Sequence, residues 1–228
     1  TWFIGLIIFA CIAILAIIYV RQLNKLKTKL ELDKTIAELK SKALTSQLNP
    51  HLVFNILNSI QGTISEGEIE KANIYLARFS KFMRSSLKLS KNTTIPISDE
   101  IEITNSYIAL EMLRFPEGLS ISIVNNLSNA TLRVPPLILQ PFIENAIKHG
   151  IMPSKNKSGL IEINLREENN VFYITITDNG TGFNKPIDFN DGDGMRISKE
   201  RLEIINPENS ITLDTAKEKT TIVIKILQ

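Results

Sequence analysis

Cysteine is nearly absent. One residue, Cys11, in 228 excludes an internal disulfide and a cysteine-rich zinc site. Histidine is equally scarce, with only His51 and His149. An excess of one charge is also lacking: 26 lysines and arginines against 24 acidic residues leave a formal +2, too weak a field to point to nucleic acid. There is no P-loop and no G-x-G-x-x-G. The stretch DFNDGDG suggests a calcium loop, but counted from Asp188 its fifth position is Gly192 and its twelfth is Lys199, so the ligand pattern fails.

One long apolar run is present. Residues 2–20, WFIGLIIFACIAILAIIYV, carry no charge and would span roughly 28 Å as a helix, close to a bilayer's hydrocarbon core. Trp2 and Tyr19 stand near its ends, where amphipathic aromatics favour the interface. The run is long for a signal peptide and has no small-residue cleavage site, and the chain opens on Thr1 rather than Met. The expectation is a transmembrane helix over 1–20 in a fragment whose upstream part is missing. Arg21, Lys25, Lys27 and Lys29 follow before any acid, which sets residues 21–228 in the cytoplasm and the helix in the cytoplasmic membrane.

Residues 21–48 lack glycine and proline, and Leu23, Leu30, Ala37 and Leu44 recur every seven residues with Leu26 between. A second row, Leu32, Ile36, Leu39 and Ala43, then takes over. This predicts a parallel coiled coil over 21–46 that widens into a bundle. Pro50 removes one helical hydrogen bond, so the helix kinks there or restarts with Asn49 as cap. Next, QLNPHLVFNILNSI sets His51, Asn55 and Asn58 on one face with Gln47, and Val53, Leu57, Ile60 and Ile64 on another. After the Gly62–Gly67 turn, Ile69, Ala72, Leu76, Phe79, Met83 and Leu87 form a further stripe. Two such stripes cannot be buried by one hairpin, which predicts a homodimeric four-helix bundle over 47–95.

Beyond Pro96 the pattern mixes helix and strand. A helix over about 98–115 leads to LSISIVN, then to a helix opened by Pro135–Pro136 and closed by Gly150. IEINLRE and VFYITIT alternate around Glu168–Asn170 as a hairpin, and strands ITLD and TIVIKIL follow a helix near 195–205. The fold class predicted for 96–228 is α+β, helices on one face of a mixed sheet.

Three clusters carry chemistry. Glu144 and Lys148, and Asn145 and His149, are four apart, a set suited to a magnesium-bound triphosphate. In TDNGTG, Asp178 ends a strand before Gly180 and Gly182, where a carboxylate can accept from a base's exocyclic amine and glycines admit the ring. The third is DFNDGDG at 188–194, whose calcium-loop reading fails as above.

Taken in order, these segments resemble sensor histidine kinases of the LytS-like family, whose catalytic module belongs to the GHKL (Bergerat-fold) ATPases. QLNPHLVFNILNSI is similar to the family's phosphoacceptor box, PFIENAIKHG to its N box, DNGTGF to its first glycine box, GDGMRISKERL to its second and KTTIVIKI to its last strand. The resemblance implies an ATP-dependent protein-histidine kinase using ATP and Mg2+, with an ATP-binding domain over 96–228. It implies that His51 accepts the γ-phosphoryl group and that Asn55 orients its ring. Asn145 would hold magnesium, Asp178 would read adenine, and Gly180, Gly182, Gly192 and Gly194 would shape the pocket. Lys148 and His149 would face the phosphates, Thr220 or Thr221 would support the adenine end, and Glu144 would assist proton handling. The implied partners are a second copy, a response regulator and the membrane.

Departures from the family pattern are Leu52 directly after His51, where many other histidine kinases carry an acid, and Asp193, Met195 and Ile197 within the second glycine box. Leu52 leaves the general base unassigned, and the altered second glycine box leaves open a second class of function, a pseudokinase that docks a regulator without turnover. A third, a GHKL ATPase acting as a machine, is disfavoured by the NPH box.

Overall fold

A computed structural model describes residues 2–44, 50–115, 118–127, 132–153, 158–182, 193–216 and 219–227. The chain divides into two compact units, Thr1–Ala77 and Arg78–Gln228.

The first unit is helical. Helix α1 (Trp2–Leu44) takes in the apolar run and the basic flank, and α2 (Pro50–Ser65) begins on the proline. Whether the chain kinks or restarts between them, and the Gln47 and Asn49 placements, fall outside the described residues. Among the described residues no helix is long and apolar enough to cross a membrane. The side chains of 4–13 are outside that description, so the described apolar stretch of α1 is cut to 14–20 before Arg21 brings charge. Leu32 and Ile36 are buried, as the second row requires, while Leu23, Leu26 and Leu30 are exposed.

Helix α2 buries Val53, Leu57, Ile60 and Ile64 as expected, and Leu52 and Ile56 as well, so its apolar face is wider than the spacing suggested. It ends in a Schellman turn. Gly67, at φ +83°, donates to Ile64 and Glu68 donates to Thr63, satisfying carbonyls that the helix end leaves open. Glycine takes that left-handed position at no steric cost. Helix α3 (Ile69–Leu89) follows.

In the second unit, β1 (Ile95–Pro96) pairs with β3 (Arg133–Val134) beside α4 (Ile97–Arg114). The main sheet holds β2 (Leu119–Asn126), β4 (Gly159–Glu168), β5 (Val171–Asp178), β6 (Ser210–Ala216) and β7 (Lys219–Leu227), in the order β2-β4-β5-β7-β6. Only β2–β4 is parallel, so the sheet is mixed. The β4–β5 hairpin turns on Asn169 and Asn170, both at positive φ as a type I′ turn demands.

One sheet face is the core. Ile161, Ile163 and Leu165 of β4, Phe172, Ile174 and Ile176 of β5, and Ile222, Ile224 and Ile226 of β7 are buried at alternate positions. α4, α5 (Gln140–Asn145) and α6 (Asp193–Ile205) supply Tyr107, Leu110, Phe142, Ile143 and Leu202 to the core. Burying a side chain of this size contributes about 1.5–3 kcal/mol.

Two expectations are corrected. The helix of the N-box segment does not open at Pro135–Pro136. The chain turns there, Leu137 adopts φ +60°, and α5 starts at Gln140. Its far end is not α-helical either: residues Ala146–Ile151 form a π-turn, with the Met152 N–H reaching the Ile147 carbonyl at 2.9 Å.

Candidate functional site

Alternation along β5 explains the position of Asp178. It occupies the same face as Phe172, Ile174 and Ile176, so the strand's last residue carries a carboxylate into the end of an apolar layer. It is only 5% exposed. Burial raises its pKa above the ordinary aspartate range, and the Gly180 N–H, donating to Oδ1 at 2.9 Å, pulls it part of the way back. Thr220, its cross-strand partner on β7, is also buried. Its hydroxyl meets no acceptor or donor at full hydrogen-bond geometry, yet lies near enough to ease the same carboxylate a little. Thr221 faces the other way and shares a 3.4 Å hydroxyl contact with Thr177.

Glycines let two segments close on this carboxylate. A Cβ built on Gly150 would stand 2.6 Å from Asp178 Oδ1, and one on Gly180 would stand 2.3 Å from the Gly150 carbonyl carbon. Neither position tolerates a side chain without movement. Thr181 completes the junction, its N–H donating to the Gly150 carbonyl at 3.1 Å and its hydroxyl to the His149 carbonyl at 3.3 Å. Gly182 follows at φ +66°. The sequence treated the N box and the first glycine box as separate matches. The fold brings them into contact.

Along α5, Glu144 is buried and ion-paired at 3.1 Å with Lys148 of the π-turn, as the four-residue spacing suggested. Asn145 ends α5 half-buried, and His149 is exposed. Widening of the turn beyond Asn145 alters the simple four-residue alignment of those two. Gly194 lies in the first turn of α6, where an added Cβ would come 3.3 Å from Pro141 of α5. Met195 is buried and Ile197 exposed. Gly192 and the Asp193 side chain lie outside the described residues.

The phosphoacceptor candidate lies in the first unit. His51 is the second residue of α2, its side chain outside the described residues. Asn55, one turn on, is half-buried, and Asn58 is exposed.

Two functional candidates escaped the sequence reading. Glu100 and Glu111 of α4 are buried among Thr104 and Tyr107. Glu100 is fully enclosed, its Oε2 accepting the Leu137 N–H at 2.7 Å and its Oε1 the Leu139 N–H at 3.0 Å. Burial lifts its pKa from 4.5 to about 7 against these bonds and the nearby Arg201. Burial raises Glu111 too, with Arg114 and Tyr107 opposing and Glu144 adding like charge.

A buried carboxylate at a strand end, glycines packed against it and an adjoining amide–ammonium–carboxylate set thus form the candidate site of the α+β unit. Comparison with known proteins points to histidine kinases. Residues 38–119 match the family model described as Histidine kinase. Sensor protein LytS of Oceanobacillus iheyensis is 34% identical over 157 residues, 69% of this chain and 26% of that protein. LytS of Bacillus cereus is 30% identical over 189 residues, 83% and 29% respectively. Sensor histidine kinase BtsS of Escherichia coli is 34% identical over 161 residues, 71% and 28%. The histidine kinase domain of a blue-light activated kinase, EL346 of Erythrobacter litoralis, shares the fold at TM-score 0.50 and 19% identity, over 86% of this chain and 95% of that one. Over two thirds or more of its own length the chain is similar to LytS-type and BtsS-type sensor histidine kinases. It spans about a quarter of the length of the curated relatives it matches.

Proposed function

We propose that the chain is the kinase portion of a membrane sensor that binds ATP with Mg2+, phosphorylates its own His51 and passes the phosphoryl group to an aspartate of a response regulator. The observation that carries this reading is the junction at Asp178. Its buried carboxylate can accept an adenine exocyclic amine, and the glycines at 150 and 180 hold it against the N-box turn. Asn145 offers an amide oxygen suited to magnesium. When bound, the ion would neutralise charge on the phosphates. Lys148, ion-paired with Glu144, would meet the same charge.

His51 would act as nucleophile through a neutral imidazole, the form favoured at neutral pH by its ordinary pKa near 6.5. Glu144 and Asn55 would serve proton handling and ring orientation.

For the membrane and the dimer, α1 supplies the support. Ile14, Leu15, Ile17, Ile18, Tyr19 and Val20 are exposed all round the helix, a pattern that water does not stabilise and lipid does. The exposed Leu23, Leu26 and Leu30 lie on the heptad seam of a parallel coiled coil.

Incubation with γ-labelled ATP tests the reading. Label that is lost in acid and stable in base is expected, as for a phosphohistidine. Binding of Mg-ATP with no label on the protein would favour the docking-module alternative that the altered second glycine box leaves open.

A further inference from the structure

We propose that Glu100 is a positioning residue for the nucleotide site: by accepting the Leu137 and Leu139 N–H groups it fixes the turn that starts α5, and with it where Glu144 and Asn145 stand. This rests on the nucleotide-site reading and adds a residue that lies outside its four boxes.

The geometry runs as a short chain of contacts. Glu100 sits in the first turn of α4, fully enclosed, with one oxygen committed to each N–H. Those donors bracket the turn immediately before α5, whose N-cap, Leu139, has no side-chain cap of its own. Leu137 is held at φ +60°, a conformation that a leucine adopts only when its surroundings impose it. Glu100 supplies that constraint from 37 residues upstream. Five residues later the chain delivers Glu144 and Asn145.

Among the described residues, the charged group acting on Glu100 from a packed element is Arg201 of α6, together with the backbone N–H groups of residues 137–139. Arg201 is itself desolvated, and Glu100 partly restores its charged form. Thus one carboxylate holds the start of α5 by hydrogen bonds and faces the helix that follows the second glycine box. Ionised, it makes two charge-assisted bonds; protonated, it holds the turn more weakly. With its pKa near 7, that change falls in the neutral range.

The test measures Mg-ADP affinity of the full 228-residue chain in detergent from pH 6.2 to 8.2, beside Glu100→Gln, Arg201→Gln and Asn145→Ala. Glutamine keeps the shape of Glu100 but turns one acceptor into a donor facing an N–H. Glu100→Gln is expected to bind about five- to tenfold more weakly at pH 8.2, with no lower melting temperature and a flatter affinity profile than wild type. Removing the cation by Arg201→Gln is expected to move the acid-side weakening to higher pH, a readout that stands even where Glu100→Gln does not fold. Wild-type affinity and profile in Glu100→Gln, or an unchanged profile in Arg201→Gln, would overturn the proposal while leaving the nucleotide site standing. Absence of Mg-ADP binding by wild type, or undiminished binding by Asn145→Ala, would instead remove the nucleotide-site reading and this proposal with it.

Discussion

Asp178 and Gly150 lie so close that any β-carbon at position 150 would sit 2.6 Å from the carboxylate oxygen. The contact joins the end of the N-box turn to the first glycine box, so on the proposed function a substitution at position 150 would disturb the carboxylate that reads adenine. Gly150→Ala should displace Asp178 and weaken ATP binding more than tenfold. Gly180→Ala meets backbone instead of a side chain, so it should lower stability as well, by about 1–3 kcal/mol. Calorimetric titration and thermal melts of both variants distinguish the two effects. Unchanged ATP affinity in Gly150→Ala would contradict the contact's functional meaning.

Asp178 also carries a pH prediction. Its folded-state pKa is raised by burial, so acid should begin to weaken adenosine binding at a higher pH than an ordinary aspartate would allow. Adenosine is the right probe because it has no phosphates to titrate. Asp178→Asn should bind adenosine at least tenfold more weakly at pH 8, having lost an ionic acceptor. Equal affinity would show that another group reads the base.

Glu100 predicts an opposite trend in stability. A carboxyl whose folded pKa exceeds its unfolded value contributes stability that is complete below the unfolded pKa and is lost as pH rises through the folded one. The rise from 4.5 to about 7 corresponds to about 3 kcal/mol, lost progressively between those values. Relative to Glu100→Gln, wild type should therefore lose stability in urea between pH 5 and 8. Parallel stability profiles for the two proteins would show that Glu100 does not titrate there.

A fourth prediction concerns assembly. Leu23, Leu26 and Leu30 are exposed along one seam of α1, and a coiled-coil partner would cover them. The full chain should sediment as a dimer in density-matched detergent at tens of micromolar. Leu23→Lys with Leu30→Lys should shift it towards monomer. A wild-type monomer at that concentration would contradict the parallel dimer.

Much of the second unit was legible because its signals are local. IEINLRE and VFYITIT alternate with period two, and the asparagines at 169 and 170 tolerate the positive φ that the turn between them needs. The candidate site residues, too, come from short boxes that the resemblance marks out. What stayed hidden depends on contacts distant in sequence. Pro135–Pro136 looks like a helix start, but Glu100 holds the next residues in a turn instead. The π-turn after Asn145 ends where Gly150 packs against Asp178, a contact that no helical periodicity encodes. Glu100, Thr104, Tyr107 and Glu111 did share a 4-3-4 spacing on α4. Tyr107 reads as apolar, but Glu100, Thr104 and Glu111 read as polar and do not stand out as one buried stripe with it; that spacing is the available signal.

The most direct test uses γ-labelled ATP on wild type and His51→Gln, with Mg-ADP affinity measured on both. The account predicts acid-labile, base-stable label on wild type, none on His51→Gln, and Mg-ADP affinities within about twofold of each other. Label on His51→Gln at the wild-type level would contradict it.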